Sequence, residues 1–142
     1  MVPLSSGRYA ALRLKPGEDP VAALRALQRQ TGAQAMALVT CVGSLTRAVI
    51  RHANRNEPSE YLGHYEITSL AGTIDPAGEH LHLGIADGEG RAFGGHLLPG
   101  SAVYTTAEIV VLILEDLAFA RAPCPYSGYD ELVVNNLAAK PP

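Results

Sequence analysis

The chain contains no tryptophan, only two cysteines and only two lysines, Lys15 and Lys140. Each shortage excludes something. Cys41 and Cys124 lie far apart and fall in no CxxC or related spacing, so neither a disulfide framework nor a thiolate zinc site is written here. Free thiols in a reducing, cytoplasmic setting are the expectation. The longest apolar run, Ile109–Leu114, is far short of the ~20 residues that span a bilayer. The N-terminal stretch MVPLSSGRYAALRLKPG lacks the basic start and apolar centre of a secretory leader, and no membrane partner is expected. Two lysines and nine arginines give a net charge of −3 with no basic run, which is poor equipment for neutralising a phosphate backbone. The sequence shows no internal repeat and no low-complexity segment.

What remains is ordinary globular material: 142 residues, 47% hydrophobic and 18% charged. That length suits one domain with one core over 1–142, its core running from about 8 to 121 and residues 122–142 forming an irregular tail. Arg8–Leu14 reads as a strand, closed by Lys15-Pro16-Gly17. Asp19-Pro20 has the form of a helix start, with Asp at the N-cap and Pro in the first helical position. Val21, Ala23, Leu24 and Leu27 then mark one apolar stripe, and Gly32 is placed to cap the C-terminus. Ala35–Val42 and Ser44–Ala53 read as two β segments interrupted at Gly43-Ser44. Glu60–Ile74 is a long strand candidate, bent at Gly63. Ala102–Leu114 carries two signals. Its β-branched content favours a strand, while Thr105-x-x-Glu108 has the form of a capping box; composition and the preceding hairpin favour the strand. Phe119–Arg121 reads as a short last strand. One helix with six or seven short strands makes an α+β domain built on a largely antiparallel sheet.

The stretch that organises the rest is Glu79–Leu98, EHLHLGIADGEGRAFGGHLL, which holds three of the five histidines. Side chains alternate across a strand, so His80 and His82 share one face while Leu81, Leu83 and Ile85 take the other. A three-residue loop, Gly88-Glu89-Gly90, would set Asp87 opposite Arg91 and His82 opposite His96, with His80 diagonal on the same face. A four-residue loop would instead send His96 to the other face. In the first register three imidazoles converge. Neutral imidazole nitrogens suit zinc, and three protein ligands with one open position is the pattern of a catalytic rather than a structural site. The competing reading is a set of surface or hydrogen-bonded strand histidines. His52 and His64 are assigned to surface or structural roles.

The segments LKPGEDPVAALRAL, GSLTRAVIR, YEITSLAGTI, HLHLGIADGEGRAFGGHLLPG and YTTAEIVV, in this order, resemble the plant and prokaryote conserved domain, PPC, also known as domain of unknown function 296. The likeness runs from about Arg8 to about Phe119, and HLHLGIAD with GGHL is its most specific part. The resemblance implies one helix on an antiparallel sheet, assembly as a homotrimer and, through plant members that carry AT-hooks, a DNA-binding label. More distantly, the His-x-His and Gly-Gly-His spacing is similar to the zinc site of acetolactate decarboxylases. That similarity falls on His80, His82 and His96 and implies a lyase-type site. This chain is much shorter than those enzymes, and their catalytic carboxylates and arginine have no counterpart here by motif.

Three functions compete. The first is a zinc-binding homotrimer with a small-molecule site, for which Glu108, Tyr104, Thr106 and Arg47 are the candidates to assist the metal. Glu108, flanked by apolar residues, would gain acid–base character if buried, or would serve as a cap or a trimer ion-pair partner. Tyr104 reads equally as a packed aromatic, and Arg47 as part of a solvated strand face. The second is DNA binding, which the charge balance disfavours; Arg47, Arg51 and Arg55 are its only patch. The third is a protein-interaction scaffold. Whether the chain is an enzyme is not written in its sequence.

Overall fold

The described residues contain one helix, and Asp19 opens it as its composition predicts. Its carboxylate accepts a hydrogen bond from the Val21 amide at 3.0 Å, with Pro20 in the first turn. The helix, α1, runs Pro20–Thr31 and ends on Gly32, whose φ of 66° places it in the left-handed region while its N–H bonds back to the Gln28 carbonyl. The other Asp19 oxygen accepts from the Gly100 amide at 2.8 Å, tying the helix start to the chain that enters the last long strand. Val21 and Leu24 are fully buried. The structure, a computed structural model, describes residues 2–137.

The strands follow in the order β1 (Gly7–Leu14), then after α1 β2 (Met36–Arg51), β3 (Ser59–Asp75), β4 (Gly78–Ala86), β5 (Ala92–Leu97), β6 (Ala102–Leu114), β7 (Leu117–Pro123) and β8 (Asp130–Asn136). The first six form one antiparallel sheet, ordered β1-β6-β2-β3-β4-β5. β5 also pairs with the far end of β2, through Ile50 with Leu97 and Arg51 with His96. The sheet therefore curls until β2, β3, β4 and β5 close on one another. Inside the curl and beneath α1 lie Leu45, Ile50, Ile67, Leu70, Leu81, Leu83, Ile85 and Leu97, all buried. The Ala102–Leu114 segment is a strand, alternating buried Val103, Ala107, Ile109, Val111 and Ile113 with more exposed neighbours.

Two expectations need correction. Gly43-Ser44 does not end β2, which runs through Met36–Arg51 as one strand, although its pairing with β6 shifts register between Leu38 and Thr40, between Gly43 and Leu45, and between Leu45 and Arg47. A Cβ at Gly43 would strike the Thr106 carbonyl, so the glycine marks a close approach to β6 rather than a break. The segment after Ala122 is not irregular throughout either. β7 extends to Pro123 and pairs along its whole length with β8, forming a separate two-stranded sheet. β8 follows no alternation of burial because every one of its residues is exposed, which removes the period-two signal. The tail beyond residue 137 lies outside the described residues.

The opposite face of the main sheet carries Tyr9, Val42, Leu62 and Tyr104, all exposed, beside the half-buried Ala37, Val110 and Leu112. No helix covers it. Among the described residues no helix is long and apolar enough to cross a membrane.

Candidate metal centre

The β4–β5 hairpin has the three-residue register. His82 pairs with His96, Gly84 with Gly94 and Ala86 with Ala92. Asp87 pins the turn: its backbone N–H bonds the Arg91 carbonyl at 3.0 Å, its carboxylate accepts from the Glu89 and Arg91 amides, and Arg91 closes an ion pair onto it. Ion pair and backbone bonds together hold the Asp87 carboxyl below its ordinary range.

Leu81, Leu83 and Ile85 enter the core, and this commits His80 and His82 to the outer face. His96 sits where β5 is held between β4 and β2. Gly95 permits that approach, since a Cβ there would stand 2.8 Å from both the Arg51 carbonyl oxygen and Ile50 Cγ2. The three rings meet with centroids 5.2 Å (His80–His82), 5.3 Å (His80–His96) and 5.9 Å (His82–His96) apart. One nitrogen from each lies within 4.8 Å of the others. Around a tetrahedral zinc with bonds of about 2.0–2.1 Å, nitrogens stand roughly 3.3 Å apart, so small ring rotations bring the set to coordinating distance.

The electrostatics suit the same chemistry. Burial, with the neighbouring His82 and the Arg121 and Arg51 guanidiniums, pushes the His80 pKa down from its ordinary 6.5. Burial and Arg51 do the same to His96. Both rings are thereby kept neutral, the form that ligates a metal.

A cavity of about 350 Å³ opens beside the triad, lined by His80 and His82 from β4, Thr73 from β3, Arg121 from β7 and Glu131 and Leu132 from β8. Arg121 is largely buried there. Its Nη2 donates to Thr73 Oγ1 at 3.2 Å, and its Nε lies 3.7 Å from the buried carboxylate of Asp75. Next in sequence to His80, Glu79 is held by Arg25 of α1 through a two-point ion pair. Arg121 and Glu131 were not legible as site residues. They are brought to the histidines by the β7–β8 hairpin, about forty and fifty residues downstream, and no local pattern announces them.

The other sequence candidates stand elsewhere. Glu108 is exposed on the open face of β6, between Arg13 and Val42 on the adjoining strands. It is not buried as the apolar flanks suggested. Tyr104 stacks on His64, ring centroids 4.3 Å apart. Thr106 accepts from Arg13 Nε, and Arg47 pairs with Glu60 at 3.0 Å, both half-exposed. None of the four lines the cavity beside the histidines. His52 is structural: its Nδ1 lies 3.0 Å from the Gly94 carbonyl oxygen and its Nε2 is 2.6 Å from the Tyr61 hydroxyl. Both cysteines are free, and burial pushes the Cys41 thiol up to about 11. A second hollow, about 500 Å³, lies at the C-terminal end of α1. Its acidic groups are already engaged, Glu115 by Arg8 and Asp116 by Ser6, and it holds no imidazole.

Several known proteins are similar. A structure of a hypothetical protein from Salmonella enterica superposes with a TM-score of 0.92 at 41% identity, covering 94% of this chain and 97% of that one. A metal-containing protein from Archaeoglobus fulgidus matches with a TM-score of 0.79 at 26% identity, over 94% of this chain and 98% of its own. Bifunctional protein GlmU of Synechococcus sp. (strain JA-3-3Ab) is 43% identical over 142 residues. That match takes in 99% of this chain but only 23% of the longer protein. Residues 1–115, which contain the whole histidine hairpin, match the Plants and Prokaryotes Conserved (PCC) domain, and the chain belongs to that family.

Proposed function

We propose that this protein binds one divalent metal ion, zinc, per chain through His80, His82 and His96, and offers the ion's open position to a small molecule. The observation that carries this reading is the convergence of three imidazole nitrogens within 4.8 Å on one rigid hairpin, beside a cavity. Three neutral nitrogen donors match zinc's preferences and leave a fourth position free. The metal content named for the Archaeoglobus fulgidus relative is in keeping with it. When bound, such an ion supplies Lewis acidity, polarising a carbonyl or activating a water. The chain's own residues hold the rings: β3 and β2 fix the backbone of the ligands, the burial of Leu81 and Leu97 fixes their facing, and burial together with nearby guanidiniums disfavours protonation of His80 and His96.

The protein is further proposed to assemble as a homotrimer, as its resemblance implied. The uncovered sheet face with Tyr9, Val42, Leu62 and Tyr104 gives a surface to bury. A scaffold role would use the same surface. DNA binding finds less support in the charges: Arg8, Arg25, Arg47, Arg91 and Arg121 are each paired with a carboxylate, leaving few cations for phosphate.

The test is zinc content after purification without a metal-affinity tag. Near one zinc per chain, lost when His80, His82 and His96 are together replaced by alanine, supports the reading. Unchanged zinc in the triple variant, or none bound by the native protein at neutral pH, would overturn it.

A further inference from the structure

We infer that His52 is a positioning residue for the candidate metal centre: it fixes the main chain just before His96, and Tyr61 holds the His52 ring for that task. The inference rests on the metal reading above and concerns what keeps that site in shape.

His96 needs such help because of what precedes it. Gly94 and Gly95 have no side chain to pack, and glycine has the widest backbone freedom of any residue. Close approach requires both. A Cβ at Gly94 would strike the Leu83 carbonyl oxygen of β4, and one at Gly95 would crowd the Arg51 carbonyl oxygen of β2. The fit that admits β5 between its neighbours therefore leaves the approach to His96 without an anchor of its own.

The pairing with β2 stops short of these glycines. It joins Ile50 to Leu97 and Arg51 to His96, and Arg51 is the last residue of β2. The next residue is His52, and its ring takes over where the ladder ends. His52 Nδ1 lies 3.0 Å from the Gly94 carbonyl oxygen. A carbonyl only accepts, so Nδ1 carries the proton and donates. In the neutral ring Nε2 is then the acceptor, and the Tyr61 hydroxyl, 2.6 Å away, donates to it. Tyr61 stands on β3 opposite Ala48, and its ring packs on Phe93 with centroids 4.7 Å apart. The relay Tyr61–His52–Gly94 thus ties β3, the end of β2 and β5 together, two residues before His96.

The two nitrogens of His52 have separate tasks, so substitution can divide them. Asparagine places an amide N–H close to the Nδ1 position and keeps the donor to Gly94. Glutamine reaches the Nε2 position and keeps the Tyr61 contact, but it has no donor for Gly94.

Zinc affinity by chelator competition, with urea unfolding beside it, provides the test. His52→Gln should weaken zinc about tenfold, as when an outer partner of a metal ligand is lost. His52→Asn should stay close to native. Tyr61→Phe keeps the packing on Phe93 and drops the hydroxyl, and should weaken zinc roughly threefold, as for one lost hydrogen bond. A His52 that only supports the fold would lose stability in both of its variants, with no difference in zinc affinity between them. Zinc affinity in His52→Gln equal to or above that in His52→Asn overturns the inference. If His52→Gln fails to fold, Tyr61→Phe decides, and native zinc affinity there overturns it. The metal-free protein gives a second readout. Its His96 ring resonances should move in His52→Gln and hold in His52→Asn; resonances that hold in both, or move alike, count against the positioning role. A native protein that takes up no zinc is a different result. It removes the metal reading, while the His96 resonances still decide whether His52 positions that ring.

Discussion

Two β-hairpins of unlike character, β4–β5 and β7–β8, face the candidate site. β4–β5 is locked on every side. β3 pairs along one edge, the end of β2 along the other, and Leu81, Leu83, Ile85 and Leu97 are driven into the core. β7–β8 is a two-stranded sheet by itself, with β8 wholly exposed. It is held to the body by a few polar ties: the Phe119 amide to the Gln34 carbonyl, the Leu137 amide to the Asp116 carbonyl, and Arg121 to Asp75 and Thr73. Two-stranded sheets are marginal alone in water. The first hairpin therefore holds His80, His82 and His96 in a fixed frame. The second is built to present side chains, Arg121 and Glu131, from a frame that tolerates change.

The sharpest way to break this comparison is by stability. Leu83→Ala in β4 opens a core cavity and should cost about 2–5 kcal/mol in urea unfolding. Val133→Ala in β8, already exposed, should cost no more than about 0.5 kcal/mol. Similar costs for the two would show that both hairpins belong to one packed unit.

A smaller effect is expected at Gly95. Replacement by alanine puts a Cβ 2.8 Å from the Arg51 carbonyl oxygen and from Ile50 Cγ2, which β2 must yield to accommodate. A loss of about 1–3 kcal/mol should follow, as for other overpacked sites. Zinc affinity in a chelator competition should fall with it, because His96 is displaced. Unaltered zinc affinity would mean that closure of β5 on β2 does not position the ligand.

The two hairpins should also separate in hydrogen exchange. The amides of Leu81, Leu83 and Leu97 should be protected near the global limit, and those of Leu132 and Val134 should exchange through local opening. Comparable protection across both would contradict the division.

The mildest probe is pH. His80 and His96 have pKa values lowered in the folded protein, so between those values and 6.5 the unfolded chain binds more protons than the native one. The metal-free protein should then lose stability as pH falls from 6.5 through the lowered values, and show no contribution from these rings above 6.5. Zinc affinity should be nearly flat above neutrality and decline only below 6.5, as protons begin to compete for the rings. A decline that begins well above 6.5 would show that the folded rings are not held neutral.

The same two hairpins show what the sequence could and could not reveal. HLHLGIA alternates because one face is core and the other is not, so the strand was readable, while the turn residues left two registers open and the structure has the three-residue one. Asp19-Pro20 and Gly32 marked the helix for equally local reasons. β8 left no such trace. Asp130–Asn136 is exposed along its whole length, so nothing in it needs to alternate. Gly43 has the sequence signature of a break because close backbone approach and chain interruption call for the same residue. The apolar neighbours of Glu108 leave its burial open in the sequence; in the strand those neighbours face the core and Glu108 faces out. The three histidines of the candidate site share one hairpin, and their spacing alone singles them out. Arg121 and Glu131 reach it through tertiary contact, which spacing cannot express.

The most direct measurement is anomalous X-ray scattering at the zinc edge from crystals of the native protein grown with one equivalent of zinc. The account predicts one strong peak per chain, about 2.0–2.1 Å from a ring nitrogen of each of His80, His82 and His96. A peak ligated elsewhere, or none at this triad while zinc is bound in solution, would contradict it.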